Sequence, residues 1–102
     1  MNELLERNTE TIEALCRRYG VATLEVFGSA AGEDFDPERS DLDFLVTFHP
    51  CEQMGPADQY FGLLFALQET FGRQVDLVCA NAMKNPYFIE EVNSTRRSLY
   101  AA

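Results

Sequence analysis

Two aspartates one residue apart, Asp41 and Asp43, stand at the head of an apolar run, DLDFLVTF. Strand alternation puts Asp41, Asp43, Leu45 and Thr47 on one face and Leu42, Phe44, Val46 and Phe48 on the other. A third acid, Asp76, lies between Val75 and Leu77 in QVDLVCA, another strand-like run. An ionised carboxylate beside an apolar core is costly unless something compensates it, and paired carboxylates repel each other. If the two strands are neighbours, the three acids meet at one end of a sheet. Arg39 is the only cation close by in the chain, so hard divalent cations are the economical counter-charge. Mg²⁺ prefers oxygen ligands, keeps some of its water and is commonly shared with substrate phosphates. Two such ions on Asp41, Asp43 and Asp76 would stabilise the attacking and leaving oxygens of a phosphoryl or nucleotidyl transfer.

Gly28-Ser29 follows the β-prone run ATLEVF. Glycine lets the backbone approach a ligand closely, and a serine hydroxyl with the free N–H groups of a helix start can bind phosphate oxygens. A phosphate site after one strand, beside carboxylates on another, describes a nucleoside triphosphate pocket. Each feature alone is ordinary. Asp-x-Asp is common in loops, most Gly-Ser pairs are turns, and a lone Asp76 reads as a solvent-facing strand residue. The conjunction and its order along the chain carry the expectation.

The elements that must position these residues are legible from periodicity. Residues 2–19 predict an amphipathic helix with Leu5, Ile12, Leu15, Cys16 and Tyr19 inward and Gly20 as its stop. A strand is predicted over 22–27, then a short turn or helix from Gly28, an acidic loop over 33–39 and the aspartate strand over 41–48. Breakers Pro50, Gly55 and Pro56 mark a loop. A second helix over 57–71 carries Tyr60, Leu64, Leu67 and Phe71. A strand over 74–80, a turn over 81–86 and a last helix over 87–100, with Phe88, Val92 and Leu99 inward, complete the chain. The order α-β-α-β-α-β-α predicts an α/β (α+β) fold, a small mixed sheet flanked by helices, as one domain over residues 1–102.

Composition narrows the function. The chain has 102 residues, 46% of them hydrophobic, and a net charge of −9, which opposes binding to a nucleic-acid backbone and suits a basic protein partner or bound metal ions. Its apolar runs are too short to span a membrane, and MNELLERNTE lacks the basic and apolar regions of a leader. Cys16, Cys51 and Cys79 have no metal spacing and read as free thiols of a cytoplasmic protein. His49, the one histidine, precedes Pro50 in a loop and reads as non-catalytic. Phe61 and Phe65 lie partly round their helix, where a partner-binding stripe would sit.

VFGSAAGEDFDPERSDLDFLV followed by QVDLV resembles the minimal nucleotidyltransferases of the DNA polymerase beta-like superfamily. Their pattern is a hydrophobic strand, Gly-Ser, a variable loop, Asp-x-Asp, and a third Asp on a later strand. Within it the chain is most similar to the MntA-type antitoxins, which pair with HEPN-class toxins. The resemblance implies a protein adenylyltransferase that takes ATP, releases pyrophosphate and places AMP on a hydroxyl, usually a tyrosine, of an RNase toxin. It implies that Gly28 and Ser29 hold the ATP phosphates, that Asp41 and Asp43 ligate both metals, and that Asp76 completes the second metal site and helps deprotonate the acceptor. Relatives carry arginines soon after Gly-Ser. Ala30 and Ala31 stand there in this chain, which shifts the triphosphate grip to Arg39 or to late basic residues such as Arg96 and Arg97. The alternative is a non-catalytic antitoxin that neutralises its toxin by stoichiometric binding.

Overall fold

A computed structural model describes residues 3–31 and 41–102, leaving out the side chains of Ser29 and Ala30. The N-terminal helix is two helices, α1 (Glu3–Arg7) and α2 (Thr9–Arg18), where the periodicity predicts one. The break is at Asn8, whose side-chain amide donates to the Leu4 carbonyl at 2.8 Å, while the Thr9 hydroxyl donates to Glu6 O at 3.0 Å. Short polar side chains that take backbone carbonyls in this way compete with the helical ladder. The chain continues as β1 (Val21–Phe27), a 3₁₀ turn (Gly28–Ala31), β2 (Leu42–Phe48) and α3 (Pro56–Phe71). It closes with β3 (Val75–Cys79), a second 3₁₀ turn (Ala80–Ala82), α4 (Pro86–Thr95) and β4 (Arg97–Ala101).

β4 corrects the sequence reading, which extends the last helix to residue 100. Arg96 leaves the helix with φ −60° and ψ 139°, and the five residues after it pair antiparallel with β1, from Arg97 opposite Val26 to Ala101 opposite Thr23. The guanidinium of Arg96 forks onto the Glu25 carboxylate of β1 and also donates to Asn93 Oδ1 at 2.7 Å. Five residues are too few for periodicity to separate helix from strand. The open edge of β1 decides it, and Leu99 and Tyr100 pack against the core from this strand.

The sheet order is β3-β2-β1-β4. β2 and β3 run parallel, joined by the α3 crossover, and β1 is antiparallel to both of its neighbours, so the sheet is mixed. Side-chain alternation splits the interior in two. One face packs Leu24, Leu42, Phe44, Val46 and Leu77 against Ile12 and Cys16 of α2 and Leu63, Leu67 and Phe71 of α3. The other packs Phe27 and Leu45 against Val92 and Phe88 of α4. Full burial of such side chains is worth about 1.5–3 kcal/mol each.

The buried stripe of α3 is Gln59, Leu63, Leu67 and Phe71, one residue round from the predicted Tyr60 and Leu64, which are partly buried. The amide at Gln59 makes this possible. Its Nε2 donates to Tyr19 O at 3.0 Å and His49 O at 2.9 Å, so a 3%-exposed polar group closes two otherwise loose chain ends.

Candidate active site

The strand register brings the acids together. Asp43 is opposite Phe27 of β1 on one side and opposite Asp76 of β3 on the other. Residues in register on adjacent strands share a face, and here it is the face that carries α4. Asp43 and Asp76 therefore stand side by side, as the sequence predicts. Asp41 lies just before β2, exposed to solvent. Among the described residues no group of three His, Cys, Asp or Glu side chains closes round a common point for an ion. The expected convergence of three acids is thus a pair, Asp43 with Asp76, with Asp41 at its rim. Arg39 lies outside the described residues.

The electrostatics follow from this placement. Burial first, then a proton shared with the Asp76 carboxyl and repulsion from Asp76, Asp41 and Glu91, push Asp43 up from 3.8 to about 6. Like charges crowded at a half-buried position disfavour ionisation, and a cation between them reverses the effect. An all-oxygen donor pair with this repulsion fits a hard divalent ion.

Gly28 completes the geometry. It has φ +69°, and a Cβ on it would lie 2.9 Å from Asp43 Oδ2. Both the left-handed backbone and the approach of the carboxylate require glycine. The backbone N–H of Gly28 donates to Thr95 Oγ1 at 2.9 Å, which ties the Gly-Ser turn to the end of α4. Ser29 sits in the 3₁₀ turn that follows. Gly28, Asp43 and Asp76 line one cavity of about 510 Å³ with Phe88 and Glu91 of α4 and Tyr60 of α3.

The sequence reading passes over Glu91, which lines the cavity, and Thr95, which holds the Gly28 N–H at its edge. The sequence carries a signal for them: Phe88, Glu91, Val92 and Thr95 share one face at helical spacing, with two polar residues interleaved among apolar ones. Tyr60 is predicted from helical spacing to face the core. It also donates its hydroxyl to Leu77 O at 2.6 Å, at the rim of the cavity.

Other candidates lie elsewhere. His49 follows the far end of β2, roughly 20 Å along the strand from Asp43, and is engaged through its backbone, donating to Gly20 O and accepting from Gln59. Arg96 is committed to Glu25 and Asn93, which removes it from the late cations available for phosphate. Phe61 and Phe65 stack on each other at 51% and 61% exposure. The three cysteines are free, and burial pushes the Cys16 thiol up to about 12. No helix among the described residues is long and apolar enough to cross a membrane.

A strand-to-glycine turn set against paired carboxylates on two parallel strands, in a four-stranded mixed sheet, is the build of a minimal nucleotidyltransferase. The chain belongs to the Nucleotidyltransferase domain family, whose model it matches over residues 9–99. It is 35% identical over 78 residues to MJ0128 of Methanocaldococcus jannaschii, named as a candidate protein adenylyltransferase, with 76% of each chain covered. It superposes with TM-score 0.73 and 33% identity on a candidate minimal nucleotidyltransferase of known structure, covering 93% of this chain and 92% of that one. It also shares its fold, at TM-score 0.65 and 18% identity, with a Shewanella oneidensis complex of an MNT antitoxin and a tri-AMPylated HEPN toxin, covering 96% of this chain and 73% of that one.

Proposed function

We propose that this nucleotidyltransferase is a protein adenylyltransferase of the antitoxin kind, transferring AMP from ATP to a hydroxyl, a tyrosine by preference, of a HEPN-class toxin. The observation that carries the chemistry is the register of Asp43 with Asp76 beside Gly28, in one cavity. The partner is supported by the name of the Methanocaldococcus relative and by the AMPylated toxin in the Shewanella complex. A net charge of −9 favours a basic protein surface over nucleic acid as the acceptor.

In this reading the acceptor oxygen attacks the α-phosphorus of ATP. The bond from that phosphorus to the bridging oxygen breaks, pyrophosphate leaves, and the acceptor proton passes to Asp76. Gly28 and Ser29 hold the phosphates against the turn, with Arg39 as an added cation. Asp43 and Asp76, with Asp41 at the rim, would hold Mg²⁺, two ions in the full arrangement, which supplies charge neutralisation at the phosphates when bound. The domain acts as one unit in the cytoplasm, where its free thiols stay reduced.

The test is AMP transfer from ATP tagged at the α-phosphate to a HEPN-class partner in Mg²⁺. The wild type is expected to label the partner, and replacing Asp41 and Asp43 together by Asn to lower the rate by at least about a thousandfold. Labelling that persists in the double variant overturns the catalytic roles. Full neutralisation of the partner by that variant at equimolar ratio supports a stoichiometric binder instead.

A further inference from the structure

Opposite its buried stripe, α3 turns a ridge to solvent. Tyr60, Leu64 and Gln68 line the catalytic cavity on one side of the helix. Gly62, Ala66 and Thr70 line a groove against α2 on the other. Between these rows, at helical spacing, stand Asp58, Phe61, Phe65 and Glu69, all exposed. Phe61 and Phe65 are 51% and 61% exposed, and their rings stack 6.2 Å apart. Phe61 also meets the Tyr60 ring edge-to-face at 5.1 Å, so the aromatic surface runs from the ridge into the wall of the catalytic cavity. A single exposed apolar side chain is ordinary. Two stacked phenylalanines rimmed by polar residues form a contiguous patch of the kind that marks an interaction surface.

The charges at the two ends of the ridge say what covers it. Asp58 and Glu69 stand about 16 Å apart along the helix, and neither has an ion-pair partner among the described residues. Arg18, which lines the α2 groove, lies over the Tyr19 ring instead. A second copy of the chain is a poor occupant. Laid against its own image in either direction, the ridge sets acids against acids, and each copy carries a net charge of −9. The complement is an apolar centre with a cation near each end. We infer that the ridge docks the acceptor protein through a surface of this kind, with a lysine or arginine meeting Asp58 and another meeting Glu69. The inference rests on the adenylyltransferase reading above and adds to it a tether apart from the reacting groups: the acceptor is held on α3 while its hydroxyl enters the adjoining cavity.

Calorimetric titration with a HEPN-class acceptor, in the absence of ATP, tests it with two variants. Phe61→Ala with Phe65→Ala keeps helix propensity and removes the patch. It is expected to raise the Kd at least about tenfold, with the Tm within about 3 °C of wild type. Asp58→Asn with Glu69→Gln is expected to raise the Kd about fivefold near about 50 mM salt, a loss that fades by about 500 mM. A wild type that binds no acceptor, or a Kd unmoved in either variant, overturns the inference. If the phenylalanine variant fails to fold, the charge variant, confined to two exposed carboxylates, decides. A dimer of the free protein that dissociates in the phenylalanine variant gives the ridge to a second copy and also overturns it. Parallel assays of AMP transfer separate this inference from the reading beneath it. Acceptor binding that the variants weaken, with no AMP transferred by the wild type, defeats the adenylyltransferase reading alone. AMP transfer by the wild type with the Kd unmoved in the variants defeats this inference alone.

Discussion

Asp43 is held in a place that works against its own charge. Burial and three neighbouring carboxylates raise its affinity for a proton, to about 6 from 3.8. A rise of this size corresponds to about 3 kcal/mol, which solvent screening at a partly exposed carboxyl reduces to about 1–2 kcal/mol. The folded state binds this proton more tightly than the unfolded chain. The associated stability is therefore present below about pH 4 and lost as pH rises through about 6. With metal chelated, Asp43→Asn is expected to match the wild-type Tm near about pH 4 and to exceed it by roughly 5 °C or more near about pH 7.5. Added Mg²⁺ is expected to raise the Tm of the wild type at the higher pH and leave the variant unmoved. Thermal melts across this range check it, and a Tm difference independent of pH contradicts the assignment. Gly28 belongs to the same argument, because the backbone that carries the Gly-Ser turn passes so near Asp43 that no side chain fits between them.

Among the elements, α3 does most to join the parts. It carries the chain from β2 to β3 as a crossover, and this makes those strands parallel neighbours and their aspartates adjacent. Gln59 at its start holds the end of α2 and the end of β2 together through two carbonyls. Gln59→Leu leaves both acceptors unpaired in a buried site, and a loss of about 1–3 kcal/mol is expected. Urea unfolding should show this as a lower midpoint at unchanged slope. AMP transfer should persist in the folded variant, since these bonds lie at the opposite end of β2 from Asp43. The break at Asn8 and the strand after Arg96 are the two places where local pattern misreads an element. At Asn8, side chains compete with the helix for its own carbonyls. After Arg96, a distant strand edge and the Glu25 carboxylate outcompete helix continuation.

For the whole molecule, the net charge of −9 sets how partners arrive. Clefts and surfaces of one sign draw opposite charge and repel like charge over about a Debye length. Association with a basic acceptor protein is expected to slow by about tenfold as salt rises from about 50 mM to about 500 mM, with dissociation little changed. Stopped-flow measurement of both rates checks this, and a salt-independent association rate contradicts electrostatic attraction. The two outer strands of the sheet, among the described residues, sit differently in this field. β4 has its entry pinned by the Arg96–Glu25 pair, whereas β3 lies beside the acid pair and the cavity.

Alternation in DLDFLVTF and QVDLVCA was enough, without coordinates, to say which face each aspartate takes, because a strand has a period of two whatever it pairs with. The same local rule located β1, α3 and the Gly-Ser turn, and composition was enough to turn attention from nucleic acid to protein. Only the tertiary structure decided that β2 and β3 pair in the register that sets Asp43 against Asp76, that Glu91 and Tyr60 face the same cavity, and that Thr95 holds the Gly28 N–H beside it. It alone showed the last residues completing the sheet rather than a helix. Register, edge and cavity arise from contacts between segments far apart in the chain. Such contacts leave no period in the local sequence from which to read them.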